Sequence, residues 1–203
     1  MDASLYRDIN HFAIQTAWAH SFMKVYAVYG VAIFGILVIA AWWFSRYQPD
    51  APRAVAASVW AAAATVIAVG INQPIVAVVH RPRPFLAMPG SEVLVARTHD
   101  FSFPSDHGIA AGAATAGLWI VAHYAGKSVK RIAIISTLLA LLLAFARVYV
   151  GAHYPGDVVA GLIIGSSVTI LGWLVLNRAL TRVTSSVARR NSFRTLVVAA
   201  NRG

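Results

Sequence analysis

The chain has 203 residues, 59% of them hydrophobic and 12% charged, with a mean hydropathy of +0.67. This composition excludes an ordinary soluble domain and points to an integral membrane protein, and the absence of cysteine excludes disulfides and thiolate metal sites. The net charge of +10 does not make a nucleic-acid binder, because the basic residues cluster at the ends of apolar runs instead of forming a face interleaved with aromatics.

Residues 1–22 carry Leu5, Ile9, Phe12, Ala13 and Ala17 at helical spacing with Asp8, Asn10, His11 and Gln15 between them, the pattern of an amphipathic helix lying in the membrane interface. His11 and His20 face water or headgroups in this reading. Asp2 and Asp8 stand where a signal peptide needs basic residues, so a cleavable signal is not expected. A first span over 25–44 closes on Trp42 and Trp43, which suit the interfacial aromatic belt. The second, over 54–79, is alanine-rich, which lets helices approach closely, and Pro74 predicts a kink near Asn72 and Gln73.

Residues 80–104 form the longest polar stretch between spans and contain His80-Arg81-Pro82-Arg83-Pro84. Pro104-Ser105-Asp106-His107 then opens a third span reaching Tyr124 (core 108–124), rich in glycine and alanine. A fourth span over 132–150 carries Arg147 near its end, Tyr154-Pro155-Gly156 turns the chain, and a fifth follows over 158–176.

The expected fold is therefore an all-α integral membrane bundle of about five transmembrane helices plus the interfacial helix. One membrane-embedded domain would occupy 1–178, followed by a basic cytoplasmic tail over 179–203. Arg46, Arg53, Lys127, Lys130, Arg131, Arg178, Arg182, Arg189, Arg190, Arg194 and Arg202 fall on one side of this topology, which by the positive-inside rule is cytoplasmic. Arg7, Lys24, Arg81, Arg83, Arg97 and Arg147 fall on the other. All three polar clusters then share the extracytoplasmic face of a bacterial-type plasma membrane.

Arg81, Arg83 and Arg147 supply planar donor forks suited to phosphate oxygens. Headgroup anchoring is the alternative for Arg81 and Arg83; Arg147 lies within an apolar span, where a charge is costly and turns to the interior or an aqueous cavity. Ser105 or Asp106 can cap the third span, and the same helix start can present an anion site with the Ser105 hydroxyl, placing His107 to protonate a leaving group. If Asp157 accepts from one imidazole nitrogen of His153, the other is left as a nucleophile; Asp157 can also cap the fifth span. Such a set suits in-line phosphoryl transfer through a phosphohistidine that water hydrolyses.

Arg83-Pro84, then Pro104-Ser105 with His107, then Arg147 with His153 and Asp157 resemble the ordered motifs of the type 2 phosphatidic acid phosphatase superfamily. The resemblance covers the second to fifth spans. It implies a multi-pass lipid phosphatase without metal or other cofactor. His153 would be the nucleophile, Asp157 its orienting partner, His107 the general acid, and Arg83, Arg147 and Ser105 the phosphate ligands. The chain departs from the family pattern at three places. Val76 stands where the family has a lysine, leaving Arg81 or His80 as candidate replacements. Ala146 replaces a serine, and Asp106 replaces a glycine. The Ser-Asp-His form is similar to the bacitracin-resistance type of undecaprenyl pyrophosphate phosphatase, which implies a polyprenyl diphosphate substrate, with phosphatidate or phosphatidylglycerol phosphate as the alternative. A serine protease using Ser105 and His153 does not need three arginines. A transporter or haem protein using His107, His123 and His153 would place its histidines deep in paired helices instead of at span ends.

Overall fold

The computed structural model describes residues 1–190 and 193–199, so the end of the predicted tail, with Arg202, lies outside the described residues. The described residues are helical throughout their regular structure. In order they form α1 (Asp2–Gln15), a 3-10 turn (Ala17–Ala19), α2 (His20–Tyr29), α3 (Val31–Ser45), α4 (Ala51–Val79), α5 (Pro84–Ala87), α6 (Asp106–Tyr149), α7 (Pro155–Arg189) and α8 (Arg194–Val197).

Ala51–Ala87, Asp106–Tyr149 and Pro155–Arg189 are each long and apolar enough to cross a membrane, and α2 with α3 makes a fourth candidate bent by 57°. The bend falls at Gly30, which closes α2 and precedes α3. Helix α6 is interrupted at Gly126, whose φ of 73° a residue with a Cβ resists. Its two halves fold back on each other: Thr115 and Ser136 share a hydrogen bond of 2.7 Å, and Trp119 Nε1–H donates to Thr137 Oγ1 at 3.1 Å.

Small residues set how closely α4, α6 and α7 pack. Ala54, Ala57, Ala61, Ala64 and Ala68 are all fully buried and recur every three or four residues along one face of α4. Continued by one step, the stripe reaches buried Asn72. Gly108 of α6 and Gly161 of α7 meet so closely that a Cβ on Gly161 would stand 2.7 Å from the Ser105 carbonyl oxygen. Hydrogen bonds lock the contact, with Trp60 Nε1–H donating to Thr169 O at 2.8 Å and Thr169 Oγ1–H to Ala113 O at 3.1 Å. Pro74 lies inside α4, which continues past it to Val79.

Helix α1 is tied to the bundle at several points. Tyr6, Asn10 and Ala13 are buried. The Asn10 amide donates to Glu92 O at 2.8 Å and accepts from Glu92 N–H at 3.0 Å, while Thr16 and Tyr149 hydroxyls meet at 2.7 Å. Leu5, Phe12, Ile14 and Trp18 face outward.

Candidate active site

The loops at one end of α4, α6 and α7 build a cavity of about 340 Å³, and local backbone chemistry explains how each side chain arrives there. His80 ends α4 in a left-handed conformation (φ 50°), turning the chain into Arg81-Pro82-Arg83-Pro84. Pro84 opens α5, where a missing N–H costs nothing, and Arg83 precedes it as cap. At the end of α6 the Arg147 carbonyl accepts from Ala152 N–H at 3.2 Å and His153 N–H at 3.3 Å. Residues six apart are thereby folded side by side. Gly151, at φ 79°, lets this turn pass against Glu92 and Val93.

His153 is 3% exposed and is held at both ring nitrogens. Nδ1 lies 2.8 Å from the Ser102 carbonyl oxygen, an acceptor only, so Nδ1 carries the proton. Nε2 then presents its lone pair to Arg147 Nη2 at 3.2 Å and Arg83 Nη1 at 3.5 Å. Burial pushes the imidazole pKa below its ordinary value; Asp157 opposes the shift, and the Arg147 and Arg83 charges reinforce it. The ring is therefore neutral at pH 7, the state a nucleophile requires.

The two guanidiniums are nearly buried and well anchored. Arg147 Nη1–H donates to Ala27 O at 3.0 Å, and Arg83 Nη1–H to Ala152 O at 2.9 Å. The other edge of Arg83 grips Asp100 bidentately, Nε to Oδ1 at 3.0 Å and Nη2 to Oδ2 at 2.8 Å. Burial raises the Asp100 carboxyl, but hydrogen bonding and charge from Arg83 outweigh it, leaving the pKa below the usual value.

His107, Asp106, Arg83, Arg147 and His153 all line the cavity, together with Val28, Val76, Phe85, Val95 and Phe101. The position of the family lysine is thus an apolar patch of the wall. His107 Nε2 is 3.5 Å from Val28 O. Asp106 is held back by Asn72 Nδ2–H at 2.6 Å and Gln73 Nε2–H at 3.4 Å, so its charge is compensated by amide donors instead of an arginine. Ser105 is fully buried and caps α6 by accepting from Gly108 N–H at 3.3 Å; it does not line the cavity.

Asp157 departs from the expected direct bond to the imidazole. Its Oδ2 is 3.8 Å from His153 Nδ1, beyond hydrogen-bond range. It accepts instead from the Ser102 hydroxyl, from Tyr154 N–H at 2.9 Å and from Arg81 Nη1–H at 2.5 Å. The physical reason is its position in the first turn of α7, where the carboxylate turns back to the cap and the Ser102 carbonyl occupies the place beside Nδ1. Arg81 does not face the cavity either. It bridges Asp157 to Asp2 at 2.6 Å and lies over the Tyr154 ring at 3.9 Å, because two carboxylates on that side outbid the cavity. His80 is exposed and packs edge-on against Phe101 at 4.5 Å. Asp100 and Ser102 were not among the expected site residues. An acid placed among arginines was a signal for Asp100, whereas a backbone carbonyl leaves none for Ser102.

The site and fold define an all-helical membrane protein with a cavity that holds a neutral histidine between two arginines. The PAP2 superfamily model matches residues 55–180. The chain belongs to this superfamily and is a phosphatase. It is 27% identical over 174 residues to undecaprenyl-diphosphatase BcrC of Bacillus subtilis, covering 86% of this chain and 82% of that one. It is 31% identical over 106 residues to an undecaprenyl-diphosphatase of Sulfolobus acidocaldarius, covering 52% and 48%. The crystal structure of a transmembrane PAP2-type phosphatidylglycerolphosphate phosphatase from Bacillus subtilis superimposes with a TM-score of 0.61 at 20% identity, covering 93% of this chain and 88% of that one.

Proposed function

We propose that the protein hydrolyses a polyprenyl diphosphate, such as undecaprenyl diphosphate, to the monophosphate through a phosphohistidine. The observation that carries this reading is the environment of His153 Nε2, a lone pair flanked by Arg147 at 3.2 Å and Arg83 at 3.5 Å on a cavity wall shared with His107. A terminal phosphoryl group entering between the guanidiniums meets the lone pair. As the Nε2–P bond forms and the bridging P–O bond breaks, the arginines stabilise the equatorial oxygens and His107 gives a proton to the departing lipid phosphate. Water then attacks phosphorus and passes a proton to His107, the N–P bond breaks with its electron pair returning to His153 Nε2, and inorganic phosphate leaves. No step calls on a metal. Val28, Val76, Phe85 and Val95 give the cavity an apolar side suited to a lipid, and the names of the curated relatives favour a diphosphate.

In the membrane, the two halves of α6, α4, α7 and the bent α2–α3 pair make five crossings, with α1 in the interface. The cavity then opens on the extracytoplasmic face and the basic tail is cytoplasmic. A cysteine placed at Ser91 should react with an impermeant reagent from outside; labelling only from the cytoplasmic side would overturn this orientation.

The deciding experiment compares phosphate release from polyprenyl diphosphate, phosphatidate and phosphatidylglycerol phosphate by purified protein in chelator. Polyprenyl diphosphate should be turned over fastest, with activity abolished in His153→Ala and a labelled phosphohistidine trapped in wild type. Wild-type rates in His153→Ala would sink the mechanism. Faster release from phosphatidate or phosphatidylglycerol phosphate would sink the substrate assignment.

A further inference from the structure

We propose that the end of the bundle remote from the catalytic cavity carries a second anion site, which takes the phosphate headgroup of an anionic membrane lipid. A separate cavity of about 390 Å³ is lined by Asp50, Arg53, Asn177, Arg178, Thr181 and Arg182. Its walls are the start of α4 and the far end of α7, joined by a hydrogen bond from Thr184 Oγ1–H to Pro52 O at 2.7 Å. Three guanidiniums therefore share one concavity with a single carboxylate. Among the described residues no ion pair engages Arg53, Arg178 or Arg182. Asp50 caps α4, accepting from Arg53 N–H at 3.4 Å, and the positive end of that helix adds to the field. Guanidinium forks match phosphate oxygens, and basic pockets between spans are where phosphate headgroups bind.

Depth distinguishes a lipid from a soluble anion. Helix α7 rises roughly 33 Å from Pro155 to Asn177 at about 1.5 Å per residue, close to the ~30 Å of a hydrocarbon core. The cavity thus emerges at headgroup level. Aromatic side chains mark the same level: the Arg53 guanidinium lies 4.8 Å from the Tyr124 ring, and Arg46 lies 4.7 Å from Trp42 and 4.2 Å from Trp43. Just below, α7 exposes Leu171, Leu174 and Val175 at 61%, 66% and 78%, a surface for the acyl chains of a lipid whose phosphate sits among the arginines. A free phosphate would use only the arginines.

The test is the thermal unfolding midpoint of the full-length protein in neutral detergent. Phosphatidylglycerol, phosphatidylcholine and inorganic phosphate are added at equal concentration, and protein-bound lipid is counted by native mass spectrometry. Phosphatidylglycerol should raise the midpoint and remain bound, and the other two should not. Both effects should disappear in Arg178→Gln/Arg182→Gln and persist in Arg189→Gln/Arg190→Gln, whose exposed arginines lie outside the cavity. They should also persist in His153→Ala, which separates this site from the catalytic reading. Equal stabilisation by phosphatidylcholine, by inorganic phosphate, or in the Arg178→Gln/Arg182→Gln protein would overturn the proposal. So would equal loss in the two double variants, which would leave surface charge alone.

Discussion

His153 Nδ1 donates to the Ser102 carbonyl at 2.8 Å, while the carboxylate of Asp157 stands 3.8 Å from the same nitrogen. The backbone of a loop thus fixes the tautomer, and Asp157 fixes the loop, because the Ser102 hydroxyl donates to it and the Ser102 N–H donates to Arg81 O at 2.8 Å. Arg81 closes the circuit by pairing with Asp157 itself. A positioning network that starts at Asp2 on α1 therefore ends at the imidazole.

The network makes Asp157 and Ser102 energetically coupled. Asp157→Ala deprives Arg81, the Ser102 hydroxyl and Tyr154 N–H of one buried acceptor. A buried donor left unmade costs about 1–3 kcal/mol, so both the unfolding midpoint and kcat should fall. Ser102→Ala keeps the carbonyl that holds Nδ1 and should lose less activity. In the double variant the losses should be less than additive, as for residues sharing one network. Strict additivity in kcat and stability would separate the two residues.

The protonation state of His153 has a sign that can be measured. Its folded pKa lies below its unfolded value, so the ring stays neutral as pH falls through the ordinary histidine value of about 6.5 and charges only below it. Nitrogen-15 NMR of histidine-labelled protein, with the resonance assigned by its loss in His153→Ala, should show an Nδ1–H tautomer persisting below pH 6.5. By linkage, this group contributes stability above the unfolded pKa, and that contribution declines as pH falls through the lowered folded value. Protonation centred above 6.5 would contradict the proposed role of His153 as a neutral nucleophile.

Asp100 occupies the Nε/Nη2 edge of Arg83, one of the two guanidiniums proposed to hold phosphate. Its side chain is 58% exposed, so the pair is of the weaker, solvent-screened kind, worth roughly 0.2–1 kcal/mol. Asp100→Asn should therefore tighten inhibition by orthovanadate by at most about fivefold, with a matching fall in KM. Weaker vanadate inhibition in the variant would mean that Asp100 holds Arg83 in place for the anion instead of competing with it.

Much of the site was legible because arginine, histidine and aspartate stand out in an apolar chain: Arg83, His107, Arg147 and His153 converge on one cavity. Their secondary contacts were not legible. The choice between Ser102 and Asp157 beside Nδ1 is a matter of about an ångström in a turn, and Arg81 could be placed only by knowing that Asp2 folds back to Gly156, whose N–H it accepts at 2.8 Å. Hydropathy located the apolar stretches. It also separated the third and fourth spans, between which α6 reverses at Gly126, but the bend at Gly30 falls inside a continuous apolar run that hydropathy reads as one span.

The close crossing of α6 and α7 also carries a catalytic consequence. A Cβ on Gly161 would lie 2.7 Å from Ser105 O and 3.0 Å from Ile109 N, both backbone atoms that yield only if a helix moves. That helix start holds His107, whereas His153 sits on the turn leading into α7. Gly161→Ala should therefore cost about 1–3 kcal/mol of stability from overpacking and lower kcat more than it raises KM, because it separates His107 and His153, the proposed acid and nucleophile. Gly35→Ala is the matched control: nothing lies within 4 Å of its added Cβ, and alanine is the better helix former by up to ~1 kcal/mol. The control should keep full activity with an unchanged or higher unfolding midpoint. Equal behaviour of the two variants in unfolding and steady-state assays would show that the crossing tolerates a methyl group and does not set the distance between the histidines.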